Sequence, residues 1–345
     1  MQQITLRPPY LLFLGDEERP TYAKTAQGLL DWRRELCAGQ LRLSEAALDL
    51  GLPDLDIAAA RDAGVRSLVI GTALVGGSIP ESWTDTLCSA ARAGLDVVAG
   101  LHTRLTSIAS LVAAAEASGA DLIDVRTPPI DQSVGTGRRR SGKRLLTVGT
   151  DCALGKKYTA LALERDLHRL GVNASFRASG QTGIMIAGGG VPIDCVVADF
   201  LSGAAEALSP DNDDDHWDVI EGQGSLFHPG YAAVSHGLLL GSQPDAFVVC
   251  HAAGRREVEG WPGFSLPSIQ EVIDRTVAIG RLTNPAIRCV GISVNCSSIT
   301  ADERPAYLAS LADQHGLPSV DPMLDGTDPI LNELLAAPGG AGDRS

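Results

Sequence analysis

The sequence predicts an α/β fold built as two parallel-sheet parts, and three observations carry that prediction. Short apolar runs alternate with helical stripes through residues 1–130 and again through 144–336, the rhythm of successive βα units. Apolar residues make up 44% of the chain but aromatics only 4%, the usage of small-residue helices packed closely on a buried sheet. Residues 145–167 read as a strand, then a loop bounded by Gly149 and Gly155, then a helix, an arrangement that receives phosphate groups. The class is therefore α/β: an N-terminal Rossmann-like open sheet packed with a C-terminal P-loop NTPase-like α/β domain.

The first part, residues 1–130, opens with strand 10–14, which ends at Gly15-Asp16. Ala23, Gly28, Leu29, Trp32 and Leu36 then form a helical stripe. Helix 55–63 and strand 67–70 follow, then helix 84–93 and strand 95–99, then helix 108–117 and strand 122–125. Open sheets of this kind bind ligands where their strands end. Asp16, His102 and Arg126 stand at such exits and are candidate substrate contacts.

Residues 131–143 carry Gly135, Gly137 and the run Arg138-Arg139-Arg140 but no periodic pattern, so they are expected as a linker. A solvated turn is the favoured use of the arginine run, and anion binding is the alternative. The second part, 144–336, begins with the glycine-bounded loop and its helix. Strand 173–176, a polar turn at 177–183, strand 193–198 and helix 203–208 come next, followed by strand 217–220 ending at Glu221. Helix 231–240, strand 246–250, a helix from 267 to about 279, strand 289–294 and helix 302–315 complete the alternation. Residues 337–345 are expected as a frayed tail.

The loop carries the chemistry. Backbone N–H groups of Gly149, Thr150, Asp151, Cys152, Ala153, Leu154 and Gly155 can converge on phosphate oxygens, with the unpaired donors of the next helix adding a positive field. Lys156 supplies a mobile cation, and Lys157 and Tyr158 complete the candidate cofactor contacts together with Asn295 at a later strand exit. Five residues separate the two glycines where a Walker A loop has four, and Lys157 stands where that motif has Ser or Thr. A magnesium ion would therefore need Thr150, Asp151 or Thr159, or a carboxylate from elsewhere. Glu221 is that carboxylate, delivered by a strand to the same sheet edge. Lys156, Glu221 and His228 are the candidate catalytic residues, with His251 a further candidate base, and Arg177 is a candidate contact for an acidic substrate.

Composition excludes several classes. The formal charge of −14 repels nucleic acid and anionic membranes, and no apolar run reaches membrane-spanning length. Seven cysteines without a CxxC pair fit reduced thiols, and residues 1–9 show no signal-peptide pattern, so a cytoplasmic location is expected. Cys152 at the loop is expected to serve packing or loop shape, not covalent catalysis. A closed homo-oligomer is compatible with the sequence, and a small acidic molecule is the expected partner.

The loop from Gly149 to Lys156, with Glu221-Gly222-Gln223-Gly224, resembles the five-spaced phosphate loop and acidic segment of dethiobiotin synthetase, although Lys157 replaces that family's Thr. A closer resemblance, to the DUF1611 family, covers nearly the whole chain. It rests on Phe13-Leu14-Gly15-Asp16, Ala23-Lys24-Thr25-Ala26, Gly100-Leu101-His102, Asp124-Val125-Arg126, Gly149 through Lys157, Glu221 through Ser225, and His228-Pro229. The resemblance implies a Rossmann-like N-terminal domain before a P-loop domain, and one branch of the family acts as a D-glutamate N-acetyltransferase using acetyl-CoA. Lys24 joins the candidate substrate contacts because it lies within these motifs. The favoured expectation is ATP- and Mg²⁺-dependent phosphoryl transfer or amide-forming ligation on a small carboxylate. Acetyl-CoA-dependent N-acetylation of an acidic amino acid is the first alternative, and a nucleotide-binding regulatory role is the second.

Overall fold

The computed structural model describes residues 4–72, 77–127 and 133–336, so residues 131–132 of the expected linker and the expected tail lie outside the described residues. The chain divides into two compact units. One holds the described residues up to 127 together with the segment Gly180–Cys195, and the other holds residues 133–179 and those from Val196 onward.

In the first unit, strands β1 (Tyr10–Gly15), β2 (Cys37–Arg42), β3 (Ser67–Ile70), β4 (Asp96–Ala99) and β5 (Leu122–Asp124) form one sheet in the order β2-β1-β3-β4-β5. Every pairing is parallel. Helices α1 (Lys24–Arg33), α2 (Ile57–Asp62), α3 (Thr84–Arg92) and α4 (Ala109–Ser118) supply the crossovers. Leu11, Phe13, Leu68, Ile70, Trp83 and Leu87 are buried together in its core. Strand β2 is an addition to the expected pattern. Its Gln40 is fully buried, which is tolerable because its amide donates to Asp49 and Asp54 and accepts from the Leu50 N–H. The chain leaves β1 to one side for β2 and to the other for β3, so the crevice of this sheet lies at the β1 and β3 exits.

The second unit alternates β6 (Lys143–Gly149), α5 (Lys156–Arg169), β7 (Ala174–Arg177), α7 (Leu201–Leu208), β8 (Trp217–Ile220), α8 (Ala232–Ser242), β9 (Ala246–Ala252), α9 (Ile269–Gly280), β10 (Arg288–Asn295), α10 (Glu303–His315), β11 (Ser319–Val320) and α11 (Asp328–Leu335). Its sheet has the order β11-β10-β9-β6-β8-β7, again all parallel. Strand β6 is central and starts the topology, with β8 on one side and β9 on the other. The loop after β6 therefore opens where the connections diverge, between the exits of β8 and β9.

Three local expectations need correction. Residues 193–198 are not a strand: Ile193–Cys195 and Ala198–Phe200 are short 3₁₀ turns. Their N–H groups are satisfied locally, Cys195 by the Pro192 carbonyl at 3.0 Å and Phe200 by that of Val197 at 2.8 Å, which leaves no ladder to form. The polar turn expected over 177–183 becomes helix α6 (Gln181–Ala187) from Gln181 on, because Ile184, Met185 and Ile186 bury an apolar face. This helix belongs to the first unit, where the Thr182 and Thr25 hydroxyls meet at 3.0 Å, although it lies within the expected 144–336 part. The arginine run is not simply a solvated turn. Arg140 is buried and donates to the carbonyls of Ser209, Gly241 and Ser242, binding up the carboxyl ends of α7 and α8. Arg144 is buried likewise and donates to the carbonyls of Arg140, Ser141 and Pro210.

Candidate phosphate-loop site

The loop leaves β6 at Gly149, where a Cβ would meet the Asp151 and Cys250 carbonyl oxygens at 3.2 Å. Ala153 and Gly155 both have positive φ, 52° and 102°, so the loop makes two left-handed steps before α5 begins at Lys156. Leu154 anchors it by packing with Cys250 and Ala252. An added Cβ at Gly155 would meet nothing within 4 Å, so the last turn faces open space above the start of α5.

Lys156 is buried, and its Nζ donates to the Asp151 carbonyl at 2.7 Å. Burial pushes its pKa down, an effect partly offset by neighbouring groups that include Asp151 and Glu221. Glu221, at the exit of β8, is buried and accepts from the Ser179 N–H at 3.0 Å. Gly222 lies so close to β6 that a Cβ would sit 1.7 Å from the Thr147 carbonyl oxygen, and its N–H donates to the Thr147 hydroxyl at 2.9 Å. This contact seats the Glu221 segment against the loop strand.

Asp151 is fully buried. Its carboxylate accepts from the Cys152 N–H at 2.6 Å, the Glu259 N–H at 2.8 Å and an Arg255 nitrogen at 3.2 Å. It thus ties the segment after β9 to the loop, and Arg255 adds a bond to the Cys152 carbonyl at 2.9 Å. The same segment carries Trp261, whose ring meets His228 edge-on with centroids 4.5 Å apart. Tyr231 stacks on His228, also at 4.5 Å, and its ring lies 5.7 Å from that of Trp261. His228 is buried, and its Nδ1 accepts from the Gly230 N–H at 3.0 Å. Desolvation pushes the pKa of His228 down. His251, at the end of β9, places Nδ1 3.1 Å from the Thr150 hydroxyl, and burial lowers its pKa too.

Two of the expected loop donors are committed elsewhere, the Thr150 N–H to the Cys250 carbonyl at 3.1 Å and the Cys152 N–H to the Asp151 carboxylate at 2.6 Å, so an anion of pyrophosphate type would draw on the later loop amides, the first turn of α5 and Lys156. Its fit to magnesium is poorer. The Asp151 carboxylate is committed to three N–H donors, and the buried Thr159 hydroxyl lies 2.8 Å from that of Ser293. Of the expected ligands for the ion, Glu221 is the one whose position at a strand exit suits it. Cys152 is half-buried, and desolvation raises its pKa, which disfavours a reactive thiolate.

The remaining candidates fall in separate places. Lys157 lies over the Tyr158 ring, with Nζ 5.0 Å from its centroid. The Asn295 side chain accepts from the Ser297 N–H at 3.0 Å, closing a turn at the β10 exit. Arg177 pairs with the buried Asp218 at 2.7 Å. In the first unit, the exposed Asp16 accepts from the Trp83 indole at 2.9 Å, and Gly15 is required because a Cβ would lie 2.3 Å from that ring. Lys24 is exposed at the start of α1, His102 is exposed beyond β4, and Arg126 pairs with Asp194 at 2.8 Å. The sequence reading missed Ser179, Arg255, Glu259 and Trp261 as parts of the loop's surroundings. The Asp151–Glu259 bond spans 108 positions, and no local pattern signals it.

A glycine-bounded loop between the central strand and its helix, holding a buried lysine beside a strand-end carboxylate, defines a P-loop protein. The chain belongs to the DUF1611 family. Its P-loop domain, described as a domain of unknown function, matches residues 133–331, and the family's Rossmann-like N-terminal domain matches residues 40–128. The chain is 46% identical over 329 residues to a D-glutamate N-acetyltransferase of a Pseudoalteromonas species, covering 95% of this chain and 99% of the relative. It is 44% identical over 331 residues to a D-glutamate N-acetyltransferase of Tritonibacter scottomollicae, covering 96% and 99%. The crystal structure of a DUF1611 family protein from Anabaena variabilis superposes with a TM-score of 0.86 at 31% identity, covering 96% of this chain and 100% of that one. Among the described residues no helix is long and apolar enough to cross a membrane.

Proposed function

We propose that the protein transfers an acetyl group from acetyl-CoA to the amino group of D-glutamate or a similar acidic amino acid. The observation that carries this is the likeness, over 95% and 96% of the chain, to two proteins named D-glutamate N-acetyltransferase. The site supports it. Coenzyme A presents a pyrophosphate, and the loop amides of 153–155 with the start of α5 and Lys156 are donors of the kind such a group needs. The commitment of Asp151 and Thr159 to protein partners costs this reaction nothing, because acyl transfer from a thioester needs neither ATP nor magnesium. Acetyl-CoA supplies the activated acyl carbon: the new C–N bond forms as the C–S bond breaks, and the proton lost by the amine ends on the departing thiolate. The chain must then take a proton from the substrate amine. His251, half-buried at the loop's edge with its pKa lowered by desolvation, offers a ring nitrogen for it, and Glu221 is a second basic group near Lys156.

A thiol-release assay with acetyl-CoA and D-glutamate tests the reading. The expected result is free CoA in step with N-acetylglutamate, without ATP. Absence of thiol release, with ADP formed only when ATP, Mg²⁺ and an acidic substrate are all present, would reject it. That result would support the second reading, ATP-dependent phosphoryl transfer or ligation, which the strand-end position of Glu221 favours.

A further inference from the structure

We propose that His228 binds the phosphoryl oxygens of the loop's ligand as a hydrogen-bond donor through Nε2–H, and that it is not the base of the reaction. The inference deepens the reading above and rests on its phosphate-binding part, not on its acyl chemistry.

The argument starts at Nδ1. The Gly230 N–H points its hydrogen at this nitrogen across 3.0 Å, so Nδ1 must present a lone pair. A neutral imidazole with its lone pair at Nδ1 carries its proton on Nε2. Tyr231 stacks against the ring and Trp261 meets it at a steep angle, both at 4.5 Å, and turning the ring over would forfeit the Gly230 bond. Nε2 is buried and has no hydrogen-bond partner among the described residues. The nearest acidic oxygen is Asp151 Oδ1, 3.9 Å away and beyond bonding distance. That carboxylate is already held by the Cys152, Glu259 and Arg255 donors.

The result is a desolvated donor 3.9 Å from Asp151 Oδ1 of the phosphate loop, with no acceptor among the described residues. An oxygen bound at the loop supplies the acceptor. Arg255 and two backbone N–H groups offset the Asp151 charge, so an anion can approach despite it.

Two other uses of this corner fail on the same bond. Asp151, Cys152 and His228 hold candidate ligand atoms within 4.8 Å of one another, the spacing of a metal site. A metal would need the Nε2 lone pair, which the Gly230 N–H denies it. A Cys152 nucleophile activated by His228 would need that same lone pair to accept the thiol proton.

The test uses the full chain and three probes: inorganic pyrophosphate, coenzyme A and ATP. In ¹⁵N-histidine-labelled protein, His228 is expected as the Nε2–H tautomer, and pyrophosphate should shift Nε2–H while leaving Nδ1 an acceptor. His228→Phe keeps an aromatic ring in place and should weaken pyrophosphate binding at least about tenfold, whereas His228→Gln, which returns an N–H near Nε2, should restore most of it. Tighter binding of coenzyme A than of ATP would identify the source of the phosphate as the acyl carrier, and the reverse would identify a nucleotide; the donor role stands in both. A free-protein proton on Nδ1 would overturn the proposal. So would unchanged affinity in His228→Phe beside a loss in Lys156→Ala. If the wild-type chain binds none of the three probes, the phosphate-loop reading itself fails and the donor role goes with it.

Discussion

The buried His228 and the half-buried His251 show how single desolvated groups make the site sensitive to acid. Desolvation lowers the pKa of both below the ordinary imidazole value, so the folded chain binds fewer protons than the unfolded one once pH drops under about 6.5. The neutral rings' contribution to stability is thus fully present above that value and declines as pH falls toward their depressed folded values. The urea midpoint should fall between roughly pH 7.5 and roughly pH 5.5, and His228→Phe should make that fall shallower. Equal pH dependence in the two proteins would show that His228 is not part of it. At this scale the sequence was legible where position is local, as for Lys156 opening α5 directly after Gly155. It was misleading where a partner lies far away. Asp151 reads as a magnesium ligand until the Glu259 and Arg255 donors are seen around it.

Among the elements, the segment after β9 stands out because one carboxylate holds it to the loop. Asp151→Asn keeps the shape but removes the charge that Arg255 pairs with, costing about 1–3 kcal/mol. Amide hydrogen exchange over residues 255–265 should then accelerate while α9 stays protected. Uniform exchange across the second unit would argue that the carboxylate serves the whole sheet and not this segment. Most helices and strands were readable from periodicity, and the start expected for α9 near 267 falls at its cap, where Ser268 and Glu271 form a reciprocal capping box in the structure. Strand β2 escaped because its buried Gln40 breaks the apolar pattern, and its three partners are not visible in the run itself. The run 193–198 misled in the opposite way, since an apolar stretch after Pro192 satisfied its backbone in tight turns and never met a sheet.

For the whole molecule, the two sheets were predictable from βα alternation, but the membership of 180–195 was not. Helix α6 lies downstream of the phosphate loop and yet packs with α1, where Thr182 meets Thr25. A fragment of residues 1–128 should therefore melt well below the same unit in the full chain, and a peptide of residues 180–195 should raise its midpoint. A cooperative melt of the fragment at the full-chain temperature, unmoved by peptide, would mean that α6 adds nothing to that unit. A different consequence follows from the Asp151 carboxylate. Because one acid side chain belongs to the turn that greets the ligand and also secures a stretch 108 positions later, that turn is not a portable module. Grafting residues 149–156 onto a relative with another partner for this acid should yield a misshapen mouth. A working chimera would have to carry residues 255–261 across with it.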